Sequence, residues 1–153
     1  MKRVEVRLNL EAVAPLLDVI KGAADELKPV LAVRQQVPDA EGDFAEGWNR
    51  ELLQGQTADV ETLLALFGSE FFASGVIALD PMNAETILRA CAAVRLRLRE
   101  RHLQALDDDA LESSEVALED LAEDQRKALA AYVFLATLQE LIIQHLDPTV
   151  LEG

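Results

Sequence analysis

A mainly α, compact multi-helix domain with a minor two-stranded β-sheet is the fold class this sequence predicts. Three observations carry the prediction. Half of the 153 residues are hydrophobic while only 5% are aromatic, and alanine, leucine and glutamate dominate, the composition of packed helices rather than of a β-sandwich. Glycines and prolines number only 7 and 5, so breakers rarely interrupt the stretches of helical periodicity. Two short runs nevertheless read as strands, one by alternation and one as a brief apolar segment. A single helical domain over 1–153 is expected, because that length supports a sizeable core and no repeat or flexible linker divides it.

The elements follow in order. Val4, Val6, Leu8 and Leu10 alternate with Glu5, Arg7 and Asn9, the period of a half-buried strand. A helix is predicted from about Glu11 to Lys28, with Pro15 admissible only in its first turn, where the missing N–H is not needed. Pro29 and RQQVPDAEGD (34–43) mark a polar connection. Asp43 and Glu46 have capping-box spacing and open a short helix to about Gln54. Thr57 caps another helix to about Phe67, which the GSEFF segment either extends or ends. SGVIAL (74–79) is the second strand.

Asp80-Pro81 is the clearest helix start in the chain. Aspartate accepts orphan N–H bonds at the N-cap, and proline suits the first helical position. This helix is expected to reach about Leu106. An acidic run from Asp107 to Asp124 follows, with a short helix between Ser114 and Ala122. The last helix spans about Glu123 to Leu146 and stops before Asp147-Pro148.

Net charge is −14 and the pI near 4.4. A field of that sign repels phosphate backbones and anionic membranes, so nucleic acid is not an expected partner. The most apolar run, YVFLATLQELII (132–143), contains Gln139 and Glu140 and reads as too short and polar to span a bilayer. The N-terminus lacks the apolar core and cleavage site of a signal peptide. A cytoplasmic location, with no membrane partner, is the expectation.

The stretch AVRLRLRERHL (93–103) sets four arginines and a histidine among leucines. Its alternation mimics a strand, yet the segment continues from Pro81 without turn residues, and Ile87, Val94 and Leu98 recur at helical spacing. At about 100° per residue, Ile87, Cys91, Val94 and Leu98 share one face. Leu88, Ala92, Leu96, Leu103 and Leu106 share a second. Arg95, Arg99 and His102 fall between these faces, and Arg97 and Arg101 lie opposite. The helix is therefore expected to be packed from two directions. On the last helix Glu140 shares a stripe with Leu129, Val133, Ala136 and Ile143, where a carboxylate needs a partner. Arginine's planar fork suits that role, so an Arg95–Glu140 ion pair is predicted to join the two long helices.

Here the chain resembles the bacterial domain-of-unknown-function family numbered two-thousand-seventeen, familiar mainly from actinobacteria. VIALDPMNAETILRA, AVRLRLRERHL and YVFLATLQELI carry the similarity, and VRLNLEAVAPLL and WNRELLQGQ fit more loosely. Arg95 and Arg101 match the family's recurrent arginines, and Gln139-Glu140 its Leu-Gln-Glu motif. Ala92 and Ala93 replace an expected Asn-Asp pair, and Arg99 an expected glycine, which argues against a shared polar site. The resemblance implies gene neighbourhoods with a ClpS-type protease adaptor and sulfur-metabolism proteins, and it supplies no catalytic residues.

Other candidate sites are weaker. Cys91 sits on an apolar face and reads as a buried, inert thiol. His102 and His145 fit no metal-ligand spacing; His145 sits in a final helical turn, where a cation suits the dipole. The run from Asp107 to Asp124 holds nine carboxylates but lacks EF-hand alternation, so a solvated acidic turn is favoured over a cation site. Ser113 and Ser114 suit caps better than nucleophiles. No glycine pattern cradles phosphate, and no cofactor or metal is expected. Trp48, Phe67, Phe71 and Phe72 supply core volume, with Trp48, Phe71 and Phe72 as the candidate interaction surface. A free strand edge offers a homodimer or partner contact.

The leading functional expectation is a non-enzymatic protein-interaction or regulatory module. The alternatives are an enzyme whose site gathers Arg95, Arg99, His102 and Glu140, and a DNA-binding regulator using Arg97 and Arg101.

Overall fold

The computed structural model describes residues 3–29, 42–104 and 121–146, with backbone alone for 42–46. In chain order the elements are β1 (Val4–Arg7), α1 (Leu10–Glu26), α2 (Gly42–Ala65), α3 (Ser69–Ser74), β2 (Val76–Leu79), α4 (Ala84–His102) and α5 (Glu123–Leu146). The mainly α class with a small sheet is the observed one. Most of the acidic run, including Ser113, Ser114 and the helix expected there, lies outside the described residues, as does Leu106.

β1 and β2 pair antiparallel, with Val4 opposite Leu79 and Val6 opposite Ile77. One sheet face carries Val4, Val6, Ile77 and Leu79 toward the core; the other carries Glu5, Arg7, Val76 and Ala78. Gly75 makes the entry into β2. Its φ of 75° is left-handed, its N–H bonds the Phe71 carbonyl at 2.6 Å to end α3, and its carbonyl accepts from Leu8 N–H at 2.7 Å.

Asn9 Oδ1 accepts from the N–H groups of Glu11 and Ala12 and starts α1 at Leu10. Pro15 consequently lies in the second turn rather than the first. The Glu11 carbonyl loses its helical donor there, and Glu11 is exposed, so solvent can satisfy it.

The two helices expected over 43–67 are one. α2 runs unbroken through Gly55 and Thr57. A mid-helix glycine costs about 1 kcal/mol, which burial of Val60 and Leu63 on the same helix outweighs. Gln56 also donates to the Leu27 carbonyl at 2.9 Å and ties the join to the end of α1.

Asp80 acts as predicted, but one turn earlier than the regular helix. Its Oδ1 accepts from the N–H groups of Met82 and Asn83, and Asn83 Oδ1 accepts from Asp80 N–H. Pro81 sits in this closed turn, α4 becomes regular at Ala84, and it ends at His102 rather than near Leu106.

α4 is central: it packs chiefly against α5 and α2, while α1 closes on both α5 and α4. Its buried face holds Ile87, Ala90, Cys91, Val94 and Leu98. The second apolar face is not packed as expected: Leu103 is buried, Leu88 is half-buried, and Ala92 and Leu96 are exposed. α5 has the predicted bounds and buries Ala128, Leu129, Ala131, Tyr132, Leu135, Leu138, Ile142 and Leu146. Taken whole, α5 is long and apolar enough to cross a membrane by length and composition, unlike its shorter 132–143 run. In this fold the buried side chains just named lie in the core, while the rest of the helix, Ile143 included, is half-buried or exposed.

Candidate functional site

The α4–α5 seam holds the first predicted polar group. Arg95, half-buried on α4, donates from Nη1 to Gln139 Oε1 at 2.5 Å, and its guanidinium lies 4.4 Å from the Tyr132 ring centroid. Gln139 Nε2 in turn donates to the Leu88 carbonyl at 3.0 Å. Glu140 is exposed and accepts from Gln144 one turn on. The predicted Arg95–Glu140 ion pair is therefore replaced by an Arg95–Gln139 hydrogen bond. Adjacent helical residues point about 100° apart, so only one of Gln139 and Glu140 can face α4. The glutamine does, which spares the seam the desolvation of a carboxylate. Arg95 Nε is buried with no hydrogen-bond partner among the described residues.

The other arginines go elsewhere. Arg97 and Arg101, one turn apart, converge on Glu26 Oε1 near the end of α1, at 3.1 and 3.0 Å. Arg97 also reaches Glu100 at 3.8 Å. The stripe is thus an interhelical clamp rather than an open basic surface. An open groove of about 480 Å³ runs beside it, lined by residues that include Asp18, Glu26, Arg97, Arg101, His102 and Lys127. Of the four residues grouped as a polar cluster, His102 alone lines this groove. Arg99 is half-buried with an interaction of its own, and Glu140 has left the set.

Sequence reasoning missed a third clamp. Arg89 on α4 grips Asp59 on α2 with both arms, Nε to Oδ2 at 3.0 Å and Nη2 to Oδ1 at 3.1 Å. The hydrogen bond to Asp59 comes first among the causes that raise the Arg89 pKa above its ordinary value. Nothing in local spacing links residues 30 apart. Glu26 was missed for the same reason, although the one-turn spacing of Arg97 and Arg101 signals a shared acceptor.

Cys91 is fully buried, and that burial pushes its thiol up to about 12, against a smaller opposing effect of Arg95. A thiol shifted that far is protonated near neutral pH. His145 is exposed in the last turn of α5. Among the described residues no three His, Cys, Asp or Glu side chains group to hold a metal.

The aromatic set divides. Phe71 is 0% exposed and meets Phe67 edge-to-face with centroids 5.2 Å apart, so it belongs to the core and not to an interaction surface. Phe72 is 55% exposed and Trp48 43%. Beside α3 an open cleft of about 810 Å³ is lined by Arg3, Glu5, Ala65, Ser69, Ala73 and the strand β2, among others. Its titratable pair Arg3–Glu5 is self-paired at 3.6 Å. Ser74 donates to the Glu70 carbonyl and accepts from Val76 N–H, so its hydroxyl caps backbone rather than standing free.

No curated protein and no solved structure matches the chain. A family model does match residues 7–146, which takes in β1 at Arg7, the Asp80 turn, the α4 arginines and all of α5. That match agrees with the resemblance read from the VIALDPMNAETILRA, AVRLRLRERHL and YVFLATLQELI blocks: the chain belongs to the family described as Domain of unknown function (DUF2017).

Proposed function

We propose that this chain is a non-enzymatic protein-interaction or regulatory module of the bacterial cytoplasm. The observation that carries the reading is the Arg95–Gln139–Leu88 chain of hydrogen bonds across α4 and α5. The side chains best suited to chemistry join two core helices, and the carboxylate that would have completed an acid–base set points to solvent.

The cleft between α3 and the outer sheet face is the docking place, and its occupant is an extended segment of a protein partner. Small side chains such as Ala65, Ala73 and Ala78 leave room for a backbone there. Val76 C=O and Ala78 N–H lie on the edge of β2 turned away from β1, where main-chain groups recognise an added strand. A charge of −14 favours a basic partner. The neighbourhood implied by the family resemblance makes a ClpS-type adaptor system the first setting in which to seek it.

A photo-crosslinking residue placed at Ala73 is expected to yield a discrete protein adduct in native cytoplasm, and the same probe at exposed Gln144 is not. Equal labelling at both positions contradicts the reading. So does absence of an adduct combined with a metabolite-dependent rise in Tm that Arg101→Ala removes, which assigns ligand chemistry to the α1–α4–α5 groove.

A further inference from the structure

We infer that the outer edge of β1 is a self-association edge, where a second copy of this chain lays its own β1 antiparallel and makes a four-stranded sheet. This uses the opposite edge of the sheet from the added-strand edge of β2; it shares only Glu5 with the lining of the peptide cleft, so variants at Val6 and Arg7 test it apart from that reading.

Hydrogen-bond parity defines the edge. Leu8 N–H bonds Gly75 O, so Val4, Val6 and Leu8 direct their main-chain groups toward β2. Glu5 and Arg7 consequently turn theirs outward, and these groups have no partner among the described residues. The edge of β2 is partly closed by comparison. Val76 N–H is held by Ser74 Oγ, and the Ala78 carbonyl accepts from Asn83 Nδ2.

Burial shows the same asymmetry. On the core-facing side, Ile77 and Leu79 of β2 are buried, while Val4, Val6 and Leu8 remain half-buried. The apolar surface left uncovered therefore borders the open edge.

Charge selects both the occupant and the register. With Val6 opposite the Val6 of a second copy, Glu5 lies opposite the copy's Arg7 and Arg7 opposite its Glu5. Val4 then meets Leu8 on the core-facing side. Two opposite-charge pairs and a continuous apolar row result, related by a two-fold axis. Shifting by one residue on each strand to set Glu5 against Glu5 would oppose carboxylates and place Arg3 against Arg7. A shift the other way, with Arg7 against Arg7, would oppose two guanidinium groups. The first register alone satisfies both faces. Strand pairing of this length buries less than the ~1,200 Å² of a standard stable interface, so the dimer is concentration-dependent.

Sedimentation velocity from about 10 μM to about 1 mM protein tests the inference in a range suited to a weak interface. The wild-type chain is expected to shift from monomer to dimer. Glu5→Arg and Arg7→Glu are each expected to abolish the shift, and the double reversal to restore it. If a reversal unfolds the chain, Val6→Cys supplies the second measurement. Non-hydrogen-bonded antiparallel pairs approach to about 4.5 Å between Cα atoms, so oxidation should link Val6→Cys chains into a dimer while Arg7→Cys chains stay single. Cys91 is buried and does not compete. A wild-type monomer throughout the range, a dimer indifferent to Arg7→Glu, or stronger cross-linking of Arg7→Cys than of Val6→Cys would overturn it.

Discussion

Phe71→Ala is expected to destabilise the fold by about 3–5 kcal/mol, the usual range for truncating a buried phenylalanine. Phe71 belongs to a short helix of only six residues, which has little intrinsic stability of its own. What holds α3 in place is this side chain. It is fully buried, packs edge-to-face on Phe67 at 5.2 Å and touches Phe72 at 5.4 Å. Phe67 extends the group to Phe134 on α5 at 6.0 Å. Truncation therefore leaves a cavity beneath α3, beside Phe67 and next to β2, against which α3 packs. Urea unfolding should show the loss as a lower midpoint. Phe72→Ala is the control: its side chain is more than half exposed, so its cost should be a small fraction of the Phe71 effect.

Gly75→Val should cost about 2–4 kcal/mol, from a left-handed backbone that a β-branched residue resists and from steric overlap. A Cβ at Gly75 would stand 3.0 Å from the Leu8 carbonyl oxygen, a backbone atom that cannot swing aside. The same residue ends α3 and begins the β1–β2 pairing through bonds to Phe71 and Leu8. Thermal unfolding should show a lower Tm. Hydrogen exchange should show loss of protection first at Leu8 and Val6, where the ladder depends on this turn. Substitution at Gly22, whose Cβ position is open, should produce no comparable loss.

These two sites illustrate what could and could not be read from the chain. β1, the Asp80 turn and the bounds of α5 were legible because alternation, capping and helical period are local properties. The continuity of α2 was not, because local breakers at Gly55 and Thr57 are outweighed by burial against distant helices. The second apolar face of α4 failed for a related reason: Leu88, Ala92 and Leu96 have the spacing of a packed stripe, but no described helix covers them fully. On α5, the predicted Arg95–Glu140 pair turned the stripe of Leu129, Val133, Ala136, Glu140 and Ile143 toward α4. The inward stripe instead includes Ala131, Leu135, Leu138 and Ile142, and a helix apolar on most sides does not announce which face is inside. That rotation is what moved Glu140 outward and Gln139 into the seam. The importance of Arg95 was legible in the sequence; its partner required the packing.

The polar seam is the point on which the structural and functional readings both depend. A double-mutant cycle combining Arg95→Ala with Gln139→Ala, and a second combining Arg95→Ala with Glu140→Ala, measures it by denaturant unfolding. A charge-assisted hydrogen bond predicts a coupling of about 1–2 kcal/mol for Arg95 with Gln139, and coupling within error of zero for Arg95 with Glu140. Coupling concentrated on Glu140, with Gln139 independent of Arg95, would contradict this account of the seam.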